Sequence, residues 1–392
     1  MVKILLLIDF SSEFTRGILK GLIRYSKNHG PWIFYRLPSY YKTLYGAKGV
    51  IQWAKEWEAD AIIARWDDDD DDTNLLTSLN IPVILQNYRS RSDYFSNLTG
   101  DYIGAGEMAA KFFIKRRYRN FAFYGNKGVV WSQERAEGFR KEIEKIGGNY
   151  YYFESENLNG EQWNSSHIKL DEWLFSLPKP IALFACDDSF ALQVSEICKI
   201  NNIAIPDEIA LLGVDNDELI CNLSDPPISS IVLDTERGGY EAGRLIDQLI
   251  HHKRTEPFNI IVRPTRFELR KSTEKYNITN EYIQKIVNYI EDHFTSEINI
   301  DELTHLVPLS RRNMEIKFKE EMGTTIYQFI LNCRIDYFTN LLLTTNRPLF
   351  DIALESGFND YKNISRLFKK MKGYTPSAYR EKFRDKDISN VF

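Results

Sequence analysis

The stretch Asp351–Arg380, near the end of the chain, restricts the possible folds more than any other part of the sequence. It predicts two helices around a tight turn, with Gly357 at the break because glycine adopts positive φ at little cost. In the second helix Ile364 and Phe368 fall on one side, at helical spacing. The other side carries basic, amide and hydroxyl groups, which suit the major groove of DNA, although a lone helix of this kind is more often a solvated surface helix.

Five short motifs favour the DNA-binding interpretation. Within Asp351–Arg380 they are, in chain order, I-A, G-F, S-R-x-F-K-K, G-x-T-P and Y-R. With these motifs in register, the stretch resembles the second helix-turn-helix of the AraC/XylS family of transcription factors. That family carries two such units, and Ile300–Gly323 resembles the first. The resemblance implies an all-α double helix-turn-helix domain over residues 282–384 that binds an operator in double-stranded DNA. The residues implied to contact DNA are Arg311, Arg312, Glu315 and Lys317 in the first unit and Tyr361, Lys362, Asn363, Ser365, Arg366 and Lys369 in the second.

The charge distribution agrees with a local DNA-binding surface. Residues 310–386 hold 15 Lys and Arg against 9 Asp and Glu, whereas residues 1–275 hold 34 against 39. A basic segment behind an acidic body is typical of a protein that contacts DNA with one part only. The four cysteines have no metal-ligand spacing, and the apolar run before Asp9 is too short for a signal peptide or a membrane span. We therefore expect a cytoplasmic protein without a bound cofactor or metal.

The chain up to about residue 215 alternates between apolar runs and helical patterns. The runs predict eight strands: Ile4–Ile8, Trp32–Tyr35, Ala61–Ala64, Val83–Leu85, Phe121–Tyr124, Tyr150–Phe153, Ile181–Ala185 and Ala210–Val214. Between them, amphipathic patterns such as Thr15–Lys27 and Gln133–Ile146 predict helices. This alternation gives parallel sheets covered on both faces, and so many units exceed one sheet. We expect an α/β domain of two lobes with a cleft between them.

Polar and aromatic side chains follow several of these strands. Open α/β sheets bind ligands at the carboxyl ends of their strands, so these side chains are candidate ligand contacts. Carboxylates accept pairs of hydroxyl hydrogens and aromatic rings cover C–H faces, so the set favours a neutral sugar. The candidates are Asp9, Phe10, Asn87, Trp131, Arg135, Asp187 and Asp215.

A second resemblance covers roughly residues 1–273. The segments Ala182–Leu233 and Ile261–Thr273 resemble the effector domain of the lac-repressor/GalR family and its periplasmic sugar-binding relatives. The resemblance implies a periplasmic-binding-protein-like sensor, followed by a linker at residues 274–281. The family's inducer-contacting positions match Asn87, Arg135, Asp187 and Asp215.

A sensor of this type ahead of an AraC-type pair is characteristic of regulators of pentose utilisation. The resemblance implies a sugar-responsive regulator, an activator rather than a repressor, with xylose as its effector and another sugar or an oligosaccharide as the alternative. We also expect a homodimer, since pairing two short DNA-binding modules raises affinity and lengthens the site.

Other interpretations of single stretches carry less weight. Carboxylates from Asp187-Asp188 and from Asp215 or Asp217 could form the acid/base pair of a sugar-active enzyme, but no catalytic motif accompanies them. The run Asp67–Asp72 favours a solvated loop over a metal site, since consecutive carboxylates repel one another. Gly100–Gly106 follows no clear strand and is expected to open a helix, with Asp101 or Thr99 as its cap.

Overall fold

The structure, a computed structural model, describes residues 1–38, 40–66, 75–155, 163–251, 256–358 and 361–383. The chain divides into two compact units, one from Met1 to Lys275 and one that begins at Tyr276. The run Asp67–Asp72 lies outside the described residues. None of the described helices is long and apolar enough to cross a membrane.

Two six-stranded sheets form the framework of the first unit. The described strands are β1 Val2–Leu7, β2 Trp32–Arg36, β3 Ala61–Ala64, β4 Val83–Leu85, β5 Ser96–Gly100, β6 Asn120–Asn126, β7 Asn149–Ser155, β8 Ile181–Ala185, β9 Ile209–Val214, β10 Ser229–Leu233, β11 Asn259–Val262 and β12 Pro264–Glu268. The first sheet is parallel and has the order β11-β5-β4-β3-β1-β2. The second has the order β12-β10-β9-β8-β6-β7, and only β12 runs antiparallel. The two sheets confirm the predicted two-lobed α/β fold.

Helices connect the strands, as parallel pairing requires. They are α1 Glu13–His29, α2 Tyr40–Glu56, α3 Tyr102–Lys115, α4 Val130–Lys145, α5 Trp163–Ser176, α6 Asp188–Ile200, α7 Glu218–Leu223 and α8 Thr235–Ile250. The described chain passes between the sheets three times, from β5 to β6, from β10 to β11 and from β11 to β12. We call the first sheet with its helices the first lobe and the second sheet with its helices the second lobe. These three chain segments connect the lobes, and a cleft lies between the lobes.

The search for apolar runs missed four of the described strands, β5, β10, β11 and β12. Of these, β5 (SNLTG) corrects the expectation that Gly100–Gly106 follows no strand. Its side chains are polar yet buried, and Asn97 donates to the Ser92 carbonyl and to Asn259 Oδ1, both at 2.8 Å. Hydrogen bonds from distant residues therefore permit a strand whose composition does not suggest burial. The expected cap is present, because Asp101 Oδ1 accepts from the Gly104 amide at 3.0 Å.

The second unit is helical throughout its described residues. Its helices are α9 Glu281–His293, α10 Ile300–His305, α11 Arg311–Met322, α12 Ile326–Thr344, α13 Leu349–Glu355, α14 Tyr361–Lys372 and α15 Pro376–Phe383. The pairs α10–α11 and α13–α14 are the two predicted helix-turn-helix units, and α12 joins them. This arrangement confirms the predicted all-α second domain.

Helix α12 contributes to two separate cores. Ile326 and Phe329 pack with α9, α10 and α11, whereas Phe338 and Leu342 pack with α13 and α14. Phe338 and Phe368 are fully buried, with ring centroids 5.4 Å apart. Each helix-turn-helix unit thus has its own apolar core.

Candidate ligand cleft and DNA-binding surface

A cleft of about 470 Å³ lies between the carboxyl ends of the strands of both lobes. Five of the seven predicted sugar contacts line it: Asp9 from the first lobe and Trp131, Arg135, Asp187 and Asp215 from the second. Other groups complete the lining, among them Glu13, Arg65, Tyr88, Tyr102, Asp188 and Asp217. Because parallel strands bring distant residues to one edge, the structure gathers these five predicted side chains at a single cleft.

Two predicted residues are outside the lining. The ring of Phe10 packs beneath the Arg36 guanidinium, 4.9 Å from it. Asn87 Oδ1 accepts from the Trp66 amide at 2.8 Å, so this amide side chain holds the chain after β3. Asn87 and Phe10 follow strands as expected, but their side chains serve neighbouring segments in this structure.

Tyr102 and Arg65 are among the lining residues that the predicted set of sugar contacts left out. Tyr102 begins α3 directly after β5, the polar strand that the apolar-run criterion did not detect. Arg65 directly follows β3, and applying the strand-end rule to that strand would have found it. Its guanidinium lies 4.0 Å from the ring centroid of Tyr88.

Close packing of α3 against α4 positions Arg135. At Gly106 a Cβ atom would stand 2.1 Å from the Arg135 carbonyl oxygen, and at Gly138 it would stand 2.1 Å from that of Ile103. Glycine at both positions therefore allows the two backbones to touch. This contact brings Tyr102 and Arg135 to the same end of the cleft.

Arg135 is only 2% exposed and lies at the centre of the site. Its guanidinium is 5.4 Å from the Tyr102 ring centroid and 5.3 Å from that of Trp131. One terminal nitrogen donates to the Cys186 carbonyl and the other donates to Asp215 Oδ1 at 3.4 Å. Its buried Nε has no hydrogen-bond partner in the part of the chain that the structure describes. A buried donor without a partner is costly, so this N–H is available to a ligand or a water molecule.

The carboxylates beside Arg135 are shifted toward their neutral forms. Burial, with a contribution from Asp215, raises the pKa of Asp187 to about 6, although Asp187 also caps α6 by accepting from the Phe190 amide at 2.9 Å. Burial likewise raises the pKa of Asp215, and the charge of Arg135 opposes that rise. Asp188 is 2% exposed and accepts from Ser230 Oγ at 2.6 Å, and burial raises its pKa well above the usual range. Carboxyl groups with raised pKa values can change their hydrogen bonds when a ligand binds.

The two lobes also contact each other at the cleft. Arg16 of α1 pairs with Asp217 of the second lobe at 2.5 Å. On the other side, Arg91 pairs with Glu134 of α4 at 2.5 Å. The Val130 amide donates to the Tyr88 carbonyl at 2.7 Å. These contacts hold the lobes together around the cleft.

In the first helix-turn-helix unit, most of the predicted DNA contacts face solvent. Ser310 caps α11, and Met314 and Phe318 are fully buried. The exposed residues of this helix include Arg311, Arg312 and Glu315, and Lys317 is half-buried. The Arg311 guanidinium pairs with Glu315 at 3.2 Å and with Asp301 at 3.6 Å, so this arginine has competing partners within the protein.

The second helix-turn-helix unit places its predicted contacts on the outer side of α14. Asn363, Arg366 and Lys369 are exposed and Ser365 is half-buried, opposite the fully buried Ile364 and Phe368. Tyr361 and Lys362 begin the helix, but their side chains lie outside the described part of the structure.

The motif residues around α14 have structural roles. Gly357 adopts φ 81° in the turn, close to the Thr295 carbonyl. Arg380 Nε donates to the Leu342 carbonyl at 3.2 Å, near the end of α12. The G-F and Y-R motifs thus build the second unit and leave its outer helix face open.

Comparison with known proteins agrees with both units. A family model described as a periplasmic binding protein-like domain matches residues 110–273, and one described as a helix-turn-helix domain matches residues 303–382. The xylose operon regulatory protein of Escherichia coli K12 is 26% identical over 389 residues, 97% of each chain. The protein of the same name from Haemophilus influenzae is 29% identical over 387 residues, 96% of this chain and 98% of that one.

Solved structures show the same fold. A xylose-binding transcription activator matches with a TM-score of 0.60 at 24% identity, over 98% of each chain. A cellobiose complex of the transcriptional regulator CelR matches 69% of this chain and 84% of its own, with a TM-score of 0.57 at 18% identity. The match to the activator covers both units, whereas the match to CelR covers less of this chain. The chain is therefore a transcription regulator rather than an enzyme, and it is similar along nearly its whole length to regulators of the xylose operon, with a periplasmic binding protein-like domain ahead of a helix-turn-helix domain.

Proposed function

We propose that this regulator responds to a neutral sugar, with xylose as the effector, and controls transcription of genes for pentose use. The observation that carries the proposal is the partnerless, buried Nε–H of Arg135 in a cleft walled by carboxylates and aromatic rings. A sugar hydroxyl oxygen at this N–H would remove the cost of an unpaired buried donor. Xylose is favoured because the two relatives matched along nearly their whole length are named for the xylose operon.

The charge of the cleft argues for a neutral ligand. Among the described residues, six carboxyl groups line it, against two arginines: Asp9, Glu13, Asp187, Asp188, Asp215 and Asp217 against Arg65 and Arg135. An anionic ligand such as a sugar phosphate would face more carboxyl groups than guanidinium groups, and its charge would oppose the ionisation of those carboxyl groups. Carboxylates instead accept hydrogens from neighbouring hydroxyls, and the rings of Trp131, Tyr88 and Tyr102 offer apolar faces to C–H groups.

A larger sugar is the alternative effector. The volume of about 470 Å³ lies in the lower part of the usual range of small-molecule sites, roughly 300–1,000 Å³. A cleft of this size leaves room beyond a single pentose ring, and the cellobiose complex of CelR has the same fold. We therefore keep disaccharides as a second candidate class.

We propose that the output is DNA binding by α11 and α14. In this proposal the base contacts come from Arg312 and Glu315, with Arg311 as a further candidate, and from Tyr361, Lys362 and Arg366. The phosphate contacts come from Ser365, Lys369 and Lys370. The proposed boundaries are a sensor at residues 1–273, a linker at 274–281 and a DNA-binding domain at 282–384. The protein would act in the cytoplasm as a homodimer, since two copies double the number of DNA contacts.

Thermal unfolding of the full chain with a panel of sugars tests the effector. The panel contains xylose, arabinose, ribose, glucose, cellobiose and xylose 5-phosphate at millimolar concentration. A ligand that binds only the folded state raises the midpoint by mass action, so xylose should raise it most. A selective shift with cellobiose would support the larger-sugar alternative. No shift with any neutral sugar would contradict the sugar proposal and leave the DNA-binding assignment standing.

A further inference from the structure

Arg270 connects the ligand loop of the second lobe to the segment that leads out of the sensor. Its Nη2 donates to Asn216 Oδ1 at 2.8 Å, and its Nη1 donates to the Ile228 carbonyl at 2.9 Å. Asn216 stands between Asp215 and Asp217, both of which line the cleft. Arg270 itself directly precedes the short 3-10 helix Lys271–Thr273, only a few residues before the second unit begins at Tyr276.

The loop that Arg270 holds is conformationally constrained. Asp215 and Asn216 have φ values of 98° and 53°, in the region that side chains rarely adopt. The Asp215 amide donates to the Ile231 carbonyl at 2.9 Å, and the Asn216 amide donates to Ser230 Oγ at 2.9 Å. A backbone in this region persists only where its surroundings determine it, and such positions concentrate at ligand sites and switches.

The exit segment is fixed by a buried hydroxyl cluster. Ser229, Ser272 and Thr273 are at most 1% exposed. The Ser229 amide donates to Ser272 Oγ at 2.8 Å, and Thr273 Oγ1 donates to Ser229 Oγ at 2.7 Å. Ser229 Oγ also accepts from the Arg270 amide at 2.8 Å. Movement of the loop at Asn216 would therefore displace Arg270 and, through the hydrogen bonds of Ser229, the chain up to Thr273.

The same loop takes part in the contact between the lobes. Asp217 pairs with Arg16 of the first lobe, and its amide donates to Asp188 Oδ2 at 2.7 Å. A ligand that changes how the lobes meet must change the environment of residues 215–217. Networks in which every polar group has a partner tend to switch as units rather than deform gradually.

We propose that Arg270 is the positioning residue that transmits effector binding at Asp215–Asp217 to the exit segment Lys271–Thr273, and so to DNA affinity. This inference rests on the proposed function. Arg270 is not among the described residues that line the cleft, so its role is distinct from binding the effector. A lysine at this position can reach only one of the two acceptors, because it lacks the forked geometry of the guanidinium.

The test compares a coupling ratio between the wild type and variants. This ratio is the DNA affinity with saturating xylose divided by the DNA affinity without xylose. The full chain and a DNA site selected from a random-sequence library are used, and xylose affinity and the unfolding midpoint are measured in parallel. Arg270→Lys and Asn216→Gly, the latter tolerating the positive φ, should each reduce the several-fold ratio of the wild type to within about twofold of one. Xylose affinity should stay within about twofold, since neither side chain lines the cleft. Asn216→Asp retains an acceptor for Arg270 and should keep the wild-type ratio.

Arg266→Lys is the matched control, because Arg266 lies on β12, four residues before Arg270, and pairs only with Glu268 at 3.7 Å in the described structure. It should leave the ratio unchanged. A wild-type ratio in Arg270→Lys with xylose still bound would overturn the proposal. The proposal would also be overturned if Arg270→Lys lost xylose affinity in proportion to its loss of coupling, because Arg270 would then act on xylose binding in the cleft alone. Failure of the proposed function itself is distinguished on the wild-type chain, which would then show no response to xylose.

Discussion

Arg135 of the cleft and Arg366 of the DNA-binding surface are both assigned to ligand contact, and the molecule holds them in opposite ways. Arg135 is 2% exposed, lies beside two aromatic rings and donates to two fixed acceptors. Arg366 is exposed and has no hydrogen bond or ion pair to any residue that the structure describes. A small ligand must find its contacts already in place, whereas an extended polyanion can be met by mobile cations. Preorganisation therefore separates the two sites more than residue type does.

The interactions that support the two sites also differ. Hydrogen-bond networks through Asp188, Ser229 and Asn97 build the sensor's ligand end, while the helix-turn-helix units depend on two apolar cores. Arg334 lies in α12 where the two cores meet and donates to the Phe294 carbonyl at 2.6 Å and the Ser296 carbonyl at 2.7 Å. The sensor is therefore expected to be sensitive to polar substitutions and the second unit to changes of apolar volume.

The largest effect is expected from Phe338→Ala in the second apolar core. Removing this fully buried ring should cost about 3–5 kcal/mol of the free energy of unfolding of the DNA-binding unit. Calorimetry of the full chain should show this transition move down while the sugar-stabilised transition stays. Phe338→Leu, which keeps much of the volume, is the control and should lose much less. Equal loss in both variants would show that the core does not depend on packing at this site.

Arg135→Ala is expected to remove the response to sugar. It deletes the centre of the cleft, so millimolar xylose should no longer raise the unfolding midpoint, while DNA affinity without sugar stays near that of the wild type. Arg140→Ala, which removes an exposed guanidinium of the same helix paired with Glu144 at 3.5 Å, is the control. A retained shift in Arg135→Ala would place the sugar elsewhere.

Arg366→Ala is expected to have a moderate effect on DNA binding. Loss of a base contact should weaken binding by about 1–3 kcal/mol and relax the sequence preference at one position. Gel-shift titration with the selected site and single-base variants of it measures both. Lys285→Ala, an exposed change on α9, should alter neither. Unchanged affinity and preference in Arg366→Ala would remove this residue from the base-reading set.

The smallest effect is expected from Asp187→Asn. Asparagine keeps the cap of α6 and removes a buried charge, so at pH 7 the unliganded protein should gain about 1–2 kcal/mol of stability while its affinity for sugar falls. Because the pKa of Asp187 is raised to about 6 in the folded state, the wild type becomes less stable as pH rises from about 4 to 6. The advantage of the variant should therefore be full at pH 7 and vanish near pH 4. Equal advantages at both pH values would contradict this origin.

Most of the fold could be predicted because apolar runs and short motifs report it directly. The runs found eight strands to within two residues at either end, and the motifs located both helix-turn-helix units. Strand β5 and helix α8 were missed for physical reasons. The polar side chains of β5 are satisfied by residues far away in sequence, and α8 is rich in glycine, where a Cβ at Gly239 would stand 1.9 Å from the Ile18 carbonyl oxygen of α1. Patterns along the chain do not show such close approaches.

The candidate site was predictable only as far as the strand ends. Asp9, Asp187 and Asp215 follow detected strands and line the cleft. Asn87 also follows one, yet its side chain bonds to the Trp66 amide. Whether a side chain after a strand faces the cleft or a neighbouring loop depends on backbone direction there, which the sequence does not reveal. The outward-facing residues of α14 were easier to predict, since helical periodicity alone separates the outer face of this helix from its core.

The central claim is that a neutral sugar in the cleft around Arg135 changes DNA binding by the helix-turn-helix units. Fluorescence anisotropy of the selected DNA site, titrated with the full chain in the presence and absence of saturating xylose, tests it most directly. The account predicts that xylose changes the dissociation constant several-fold for the wild type and leaves it unchanged for Arg135→Ala. Equal dissociation constants with and without xylose in the wild type, or a sugar effect that survives in Arg135→Ala, would contradict it.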